Sequence, residues 1–304
     1  MNIVYAGSPE YAVAPLKALL DAGNRVVAVI TQPDKPVGRK GIITPTPVKQ
    51  FASERGLPVY DFAKIREHEE EVRALGAQLM ITCAYGQLLS RGVLQAFPLG
   101  VYNLHASLLP LYRGASPIQA AILAGEEYTG VTVMKTELEL DSGGILLVKR
   151  VAIEGRTCGE LAEELSALSA QAAVEAVELI ESGQSELLIQ DEAKATYCKK
   201  ISKADARINF EESGAAVANL INAMSPSPAA YASINGGVIN AFKAAPCEGE
   251  GSVGTVLKAD KGGVVVACGK GAVNITAIQF AGGKIISAAD AVNGRKIKAG
   301  DKFD

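Results

Sequence analysis

Histidine and tryptophan are the scarcest residues of this 304-residue chain, which has two of the first and none of the second. With only His68 and His105 available, the chain cannot build a catalytic metal site made mainly of histidines. The five cysteines are widely scattered and form no C-x-x-C pair, so they match no zinc-ligand spacing and favour reduced thiols over a disulfide framework. We therefore expect no metal in this protein.

Long apolar runs and targeting segments are also missing. No stretch approaches the roughly 18 consecutive apolar residues that span a bilayer. Met1 is followed directly by a strand-like stretch, Asn-Ile-Val-Tyr-Ala, without the basic and apolar regions of a signal peptide. The sequence predicts a cytoplasmic protein with no membrane partner, and we expect it to be a monomer.

Basic residues are too few for a large nucleic-acid footprint, since the net charge is −3. They are unevenly spread: residues 201–304 carry 11 basic and 9 acidic side chains, whereas residues 1–200 carry 19 and 24. A contact with nucleic acid would therefore use the C-terminal part and local basic loops.

Three common catalytic motifs are absent. Gly7 stands alone after the first strand, where a dinucleotide fold would carry G-x-G-x-x-G, and this argues against NAD or FAD. The chain also has no G-x-x-x-x-G-K-[ST] phosphate loop and no G-x-S-x-G nucleophile elbow.

Strand and helix signals alternate over the first 150 residues. Thr46-Pro47 and Ser116-Pro117 each read as the N-cap and first residue of a helix, the first of which we expect to end at Gly56. A further charged helix is predicted around His68. The alternation predicts an α/β fold: an open, mostly parallel sheet with helices on both faces, of the Rossmann-like kind.

The pattern changes after the long helix predicted from about residue 158 to 182. Residues 189–208 have no sustained period and are predicted to be a linker. Beyond them, short strands punctuated by glycine predict a small antiparallel C-terminal β-barrel, OB-like, over residues 209–304. The catalytic domain would then be residues 1–188.

Three polar side chains are candidates for chemistry. Asn103 and His105 end the strand Gly-Val-Tyr-Asn-Leu and lie two residues apart, hence on one face. Asp141 follows Val-Thr-Val-Met-Lys, which we expect to be a neighbouring strand, and ligands gather at the carboxyl ends of parallel strands. The set would suit acyl transfer to an amine: the amide donates to the oxyanion, the imidazole handles the amine proton, and the carboxylate supports the imidazole.

Structural roles for the same residues stay open from spacing alone. A histidine–aspartate pair found by spacing is more often structural than catalytic. Asn103 could cap a turn, and Arg113 could form a surface ion pair of little energetic weight.

A longer motif favours catalysis. The stretch NLHASLLPLYRGASP, continued to ELDSG, resembles the active-site region of the folate-dependent formyltransferases, whose pattern is Asn-x-His-x-Ser-Leu-Leu-Pro, Arg-Gly and a Leu-Asp-Thr-Gly-like turn. The resemblance implies 10-formyltetrahydrofolate as co-substrate, without a metal. It also implies catalytic roles for Asn103, His105 and Asp141, and folate contacts from Ser107, Leu108, Leu109 and Pro110.

Other stretches resemble the members of that family that act on initiator methionyl-tRNA. The loop TQPDKPVGRKGIITP is similar to an insertion that in those proteins reaches the tRNA acceptor end, which implies tRNA binding by Arg39 and Lys40. Without the resemblance, the same loop is equally well explained as an exposed charged loop that favours solubility. The C-terminal residues resemble the family's tRNA-contacting barrel.

The chain departs from the family pattern at two places. Gly144 stands where the family often has aspartate. Ser227 and Ala229 replace the tryptophan and glycine of a typical Pro-Trp-Pro-Gly, which removes an aromatic contact.

Two other activities remain open at this point. A formyltransferase acting on a sugar-nucleotide amine would bind a nucleotide and ignore tRNA. A hydrolase releasing formate from formyltetrahydrofolate would usually carry a regulatory domain ahead of the catalytic sheet, whereas here the sheet begins at Met1. A non-enzymatic binding module is disfavoured, since Asn103, His105 and Asp141 would then be unexplained.

Overall fold

The computed structural model describes residues 1–38 and 41–304, which divide into two compact units. Unit 1 consists of residues 1–115, 129–151 and 162–198, and unit 2 of residues 116–128, 152–161 and 199–304. Two short segments of the first 188 residues thus group with the C-terminal residues. The domain limits at residues 188 and 208 stay predictions.

Strands and helices alternate through the first half of the chain and strands dominate the second. The strands are β1 Asn2–Gly7, β2 Arg25–Ile30, β3 Lys35–Val37, β4 Ile42–Thr44, β5 Val59–Tyr60, β6 Leu79–Cys83, β7 Gly100–His105, β8 Arg113–Gly114, β9 Tyr128–Lys135, β10 Ile145–Ala152, β11 Tyr197–Cys198, β12 Ala230–Ile234, β13 Gly237–Cys247, β14 Val256–Asp260, β15 Gly263–Ala267, β16 Ala272–Phe280 and β17 Ile285–Ser287. The α-helices are α1 Val13–Asp21, α2 Pro47–Ser53, α3 Glu69–Ala74, α4 Arg91–Gln95, α5 Pro117–Leu123, α6 Cys158–Glu181, α7 Gly214–Ala223 and α8 Ala288–Asn293.

Unit 1 is built on a seven-stranded sheet in the order β10-β9-β7-β6-β1-β2-β5. The five strands from β7 to β5 run parallel to their neighbours, and β9 pairs antiparallel with β7. Consecutive residues of the central strand β1, from Ile3 to Ala6, are all fully buried, so both faces of the sheet are covered. The predicted mostly parallel α/β sheet is confirmed.

The two predicted Thr/Ser-Pro helix starts behave differently. Thr46 caps α2 as expected, because its Oγ1 accepts a hydrogen bond from Lys49 N at 3.1 Å, and the helix ends at Ser53 rather than at Gly56. Pro117 begins α5, but Ser116 makes no side-chain cap. Its Oγ instead accepts from the backbone N of Ile201 at 3.3 Å.

His68 does not lie within a helix. It separates a 3₁₀ turn, Ile65–Glu67, from α3, and its φ of −127° is not helical. Its ring stacks on Phe62 with centroids 4.4 Å apart, and Nδ1 lies 2.6 Å from a carboxylate oxygen of Glu71. The predicted charged helix is therefore present as α3, but the placement of His68 on a helix is wrong, because this residue precedes the first residue of α3.

Unit 2 is built on an antiparallel sheet in the order β12-β13-β16-β15-β14, with β17 also paired to β16. The last residues of the chain connect its two edge strands: Phe303 bridges Ile234 of β12, and Lys302 bridges Thr255 next to β14. The ring of Phe303 packs on Phe210 in the core, with centroids 5.2 Å apart. The antiparallel C-terminal sheet is confirmed.

None of the helices in residues 1–38 and 41–304 is both long enough and apolar enough to cross a membrane.

Candidate active site

His105 is the last residue of β7 and is only 5% exposed. Its Nε2 lies 3.0 Å from the backbone oxygen of Tyr112. A carbonyl oxygen can only accept, so Nε2 carries the hydrogen of this bond. In the neutral ring, Nδ1 is then the unprotonated nitrogen, and it lies 3.7 Å from Oδ2 of Asp141. The imidazole is therefore held in one tautomer, with its basic nitrogen beside a carboxylate.

Asp141 reaches this position by an unexpected path. Its strand β9 is the predicted neighbour of β7, but the two are antiparallel, with Tyr102 opposite Lys135 and His105 opposite Thr132. The carboxyl end of β9 therefore lies away from His105, and the expectation that Asp141 leaves the end of a parallel strand is wrong. The segment 136–144 instead turns back and brings Asp141 to the imidazole.

The backbone of Gly114 fixes the carboxylate of Asp141. Its N–H donates to Oδ2 at 2.8 Å. Gly114 belongs to β8, which pairs in parallel with β11, and its φ is +119°. A Cβ at this position would lie 2.3 Å from the backbone oxygen of Cys198, a distance no side chain tolerates. Only glycine can therefore place this N–H against Asp141.

Asn103 lies on the same face of β7 as His105, two residues before it. Thr82, its partner residue on the adjacent β6, donates from Oγ1 to Oδ1 of Asn103 at 2.9 Å. This bond occupies the acceptor of the amide and leaves Nδ2 as a donor, with no acceptor among residues 1–38 and 41–304. The side chain is thus oriented as an oxyanion donor would be.

The stretch Ser107 to Pro110 is held by hydrogen bonds from its own residues and from β9. Thr132 of β9 accepts from Leu109 N at 3.1 Å and donates to the backbone oxygen of Ser107 at 2.7 Å. The fully buried hydroxyl of Ser107 donates to the backbone oxygen of Leu111 at 2.6 Å. The four residues therefore form a fixed edge next to His105, and their contact with folate stays a prediction.

Arg113 is not a surface residue, since it is 1% exposed. Its five N–H groups make hydrogen bonds to Gln190, Glu192 and Tyr197. The Glu192 carboxylate, which accepts from both Nη1 and Nη2, raises the pKa of Arg113 above its usual range. The alternative of a weak surface ion pair is wrong: the buried guanidinium connects β8 to residues 190–197 through hydrogen bonds.

The supporting residues of the site are ones that sequence reasoning missed. They are Thr82, Gly114, Thr132 and Gln190. Three of them carry a signal: Gly114 is the glycine of the Arg-Gly pair in the motif, and Thr82 and Thr132 are polar residues inside otherwise apolar strands, Leu-Met-Ile-Thr-Cys and Val-Thr-Val-Met. Nothing in the local sequence marks Gln190, whose partners lie 47 to 77 residues away.

Other predicted residues fall outside this cluster. Arg39 and Lys40 lie outside the described residues. The strands that flank them, β3 and β4, pair antiparallel, and Ile42 and Ile43 are exposed.

Gly144, which stands where the family often has aspartate, lets the side chain of Leu187 approach the backbone. A Cβ at position 144 would lie 2.8 Å from Cβ of Leu187. Within residues 1–38 and 41–304 no three His, Cys, Asp or Glu side chains are grouped as metal ligands.

The arrangement can support proton transfer and stabilise negative charge. A histidine nitrogen that is unprotonated, shielded from solvent and next to a carboxylate can act as a general base. An amide donor on the same strand face can stabilise a tetrahedral oxyanion.

Comparison with solved structures agrees with this fold. The chain resembles the N-formyltransferase of Helicobacter canadensis in complex with folinic acid and dTDP-3-aminofucose, with a TM-score of 0.69 and 19% identity over 90% of this chain and 97% of that one. It also resembles HypX of Aquifex aeolicus in complex with tetrahydrofolic acid, with a TM-score of 0.64 and 18% identity over 95% of this chain and 46% of that one. At these identities the likeness concerns the fold alone.

Relatives of known sequence are much more similar. The Methionyl-tRNA formyltransferase of Ectopseudomonas mendocina is 42% identical over 97% of this chain and 95% of its own length. That of Pseudomonas entomophila is 41% identical over 99% of both. The family model "Formyl transferase" matches residues 1–177, and "Formyl transferase, C-terminal domain" matches residues 200–296. This chain therefore belongs to the formyl transferase family.

Proposed function

We propose that this protein transfers the formyl group of 10-formyltetrahydrofolate to the α-amino group of methionine on initiator methionyl-tRNA. The observation that carries the choice of substrate is the similarity to relatives named Methionyl-tRNA formyltransferase, which extends over both domains at 41–42% identity. The product, N-formylmethionyl-tRNA, would serve translation initiation in the cytoplasm, and we propose that the enzyme acts as a monomer.

The proton of the attacking amine goes to Nδ1 of His105. When the amine nitrogen bonds to the formyl carbon, it becomes positively charged and must lose a proton. Because Nε2 of His105 is engaged with Tyr112, Nδ1 is the atom that can accept it. The imidazolium that forms is stabilised by Asp141, whose Oδ2 lies 3.7 Å away and is itself held by Gly114 N–H.

The formyl oxygen becomes an oxyanion in the tetrahedral intermediate, and Nδ2 of Asn103 donates to it. Thr82 keeps Oδ1 of the amide turned away, so no reorientation is needed during the reaction. The intermediate collapses by breaking the bond between the formyl carbon and N10 of the folate, which takes up a proton. The amine proton held by His105 balances this step, so no metal and no covalent enzyme intermediate are required.

The folate would lie along Ser107 to Pro110, whose backbone Thr132 holds in place. The tRNA would contact the loop that contains Arg39 and Lys40, and the C-terminal domain. Because the chain as a whole is acidic, tRNA binding must depend on such local basic segments.

A direct assay tests the proposal: the protein is incubated with 10-formyltetrahydrofolate and charged initiator tRNA, and formylmethionine is measured after deacylation. We expect formylmethionyl-tRNA to accumulate in proportion to tetrahydrofolate. Two parallel reactions test the alternative activities, one with a dTDP-linked amino sugar as the formyl acceptor and one with water as the only acceptor. Formylation of the sugar, or release of formate without an acceptor, in place of tRNA formylation would overturn the proposal.

The tRNA part of the proposal has a separate test in Arg39→Ala. We expect a higher KM for charged tRNA, with a salt dependence flattened by about one phosphate contact. The KM for the folate should not change. Equal losses for both substrates, or no loss for either, would remove this loop from the tRNA-binding surface.

A further inference from the structure

We propose that Gln190 is a positioning residue for catalysis: it holds the turn that places Asp141 beside His105. This inference rests on the proposed formyl transfer, because it assigns a task to a residue that does not touch the reacting atoms. Gln190 is 49 residues beyond Asp141 and is buried, with 6% of its surface exposed.

The hydrogen bonds of Gln190 determine how its amide is turned. Oε1 accepts from Nε of Arg113 at 3.1 Å and from Nη2 at 2.8 Å. Nε2 donates to the backbone oxygens of Asp141, at 2.8 Å, and Gly143, at 2.7 Å. A flipped amide would set donors against donors and acceptors against acceptors, so the chemistry of the partners allows one orientation only.

Arg113 anchors this amide. Besides its two bonds to Gln190, the guanidinium donates to both carboxylate oxygens of Glu192, at 2.7 and 2.9 Å, and to the hydroxyl of Tyr197 at 3.3 Å. All five of its N–H groups are thus used. A planar guanidinium with every N–H group in a hydrogen bond has little freedom to move. The acceptor end of Gln190 is consequently fixed against β8.

The turn that Gln190 holds needs such support. Asp141 has a φ of +49°, a left-handed conformation that side chains with a Cβ seldom adopt. A backbone hydrogen bond from Lys135 N to Gly144 O, at 2.9 Å, closes the loop at its base, whereas Leu138 and Leu140 near its tip are 53% and 50% exposed and do not pack it in place. Within this loop, the two hydrogen bonds from the anchored amide hold the backbone of Asp141 and Gly143, and with it the position of the Asp141 carboxylate against Gly114 and His105.

The variant Gln190→Glu separates positioning from simple loss of structure. A glutamate keeps the acceptor for Arg113, but its second oxygen faces the backbone oxygens of Asp141 and Gly143 and can only repel them. We expect kcat to fall about tenfold or more, because small displacements of catalytic groups cost that much. The KM values for folate and tRNA should stay within about twofold.

Asn222→Asp is the matched control. Asn222 is a buried amide of unit 2 that donates to Ala244 O at 2.9 Å and accepts from Ala244 N at 3.1 Å. The same change from amide to acid there should lower the melting temperature and leave kcat unchanged. If Gln190→Glu only lowers the melting temperature, with the kcat of the wild type, Gln190 is structural and the proposal is overturned.

A spectroscopic readout is independent of turnover. The chain has two histidines, so imidazoles labelled with ¹³C at Cε1 alone give two signals, and His68→Gln assigns them. In Gln190→Glu the His105 signal should shift in the same direction as in Asp141→Asn, while the His68 signal stays in place. An unmoved His105 signal overturns the proposal. If wild-type protein does not formylate tRNA, the proposed function fails, but this measurement still decides whether Gln190 positions Asp141.

Discussion

The ring of His105 donates from Nε2 to the backbone oxygen of Tyr112 at 3.0 Å, which leaves Nδ1 as its basic nitrogen, 3.7 Å from Oδ2 of Asp141. At that separation the carboxylate acts through its charge more than through a short hydrogen bond. The imidazole is thus oriented by the carbonyl of Tyr112 and electrostatically supported by the carboxylate of Asp141.

Asp141→Asn removes the charge but keeps an oxygen that can accept from Gly114 N–H. We expect lower turnover, because the imidazolium formed in the reaction loses its counter-charge. Glu139→Gln removes the same charge from the exposed part of the same segment and should leave turnover unchanged. If Asp141→Asn changed only the KM for the folate and left turnover unchanged, Asp141 would be a binding residue and not a catalytic one.

Gly114→Ala should impair the site through the backbone. The added Cβ would lie 2.3 Å from Cys198 O, so β8 must move away from β11 and take with it the N–H that Asp141 accepts from. We expect a fall in kcat and a loss of stability of several kcal/mol. Gly183→Ala is the control, since Gly183 also has a positive φ, of +74°, but open space around it. It should cost about 1 kcal/mol from the φ alone and spare kcat. Equal effects in the two variants would contradict the steric argument.

Thr132→Val tests the proposed folate-contacting stretch, Ser107 to Pro110. Valine has nearly the same shape as threonine but has no hydroxyl. The change deprives the buried N–H of Leu109 of its acceptor, which costs about 1–3 kcal/mol, and frees the backbone of Ser107 to Pro110. We expect a higher KM for 10-formyltetrahydrofolate and an unchanged KM for tRNA. Thr129 lies on the same strand, and its buried hydroxyl has no partner among the described residues. Thr129→Val should be neutral or stabilising, and a folate effect from it would contradict this account.

Ala229→Gly should stabilise the protein. Ala229 has a φ of +66° and is 5% exposed, at the position where the family pattern has glycine. Relief of the left-handed conformation is worth more than the entropy that glycine adds to the unfolded chain, for a net gain of about 1 kcal/mol. In thermal unfolding this corresponds to a rise of about 2–4 °C. Ala230→Gly, one residue later in β12, should instead lower the melting temperature. A decrease for both variants would contradict the assignment of strain to Ala229.

Local patterns predicted the parts of the fold that depend on local physics. The alternation of buried strands and helices gave the parallel sheet, Thr46-Pro47 gave the start of α2, and glycine-punctuated strands gave the antiparallel C-terminal sheet. The direction of β9 could not be read this way. A connection that contains a helix usually joins parallel strands, yet β7 and β9, joined through α5, are antiparallel.

The candidate site was predicted from the sequence only as far as its motif extends. Asn103 and His105 share a strand, so their common face follows from the period of two. The contacts that complete the site come from other parts of the chain: Thr82 of another strand orients Asn103, whereas Gly114 and Gln190, from beyond α6, hold Asp141. A polar residue such as Thr82 in an apolar strand marks a contact but not its partner, because the partner is set by tertiary packing. The roles of Arg39 and Lys40 stay predictions from the resemblance.

The central claim is that Nδ1 of His105 takes the amine proton during formyl transfer. The measurement that tests it most directly is the single-turnover rate of formylmethionyl-tRNA formation by His105→Asn and by its matched control, His68→Asn. We expect the first variant to fold normally and to lose about 10²-fold or more in rate, the usual scale for removal of a general base, while the control keeps the wild-type rate. A His105→Asn protein that formylates methionyl-tRNA at nearly the wild-type rate would contradict the account.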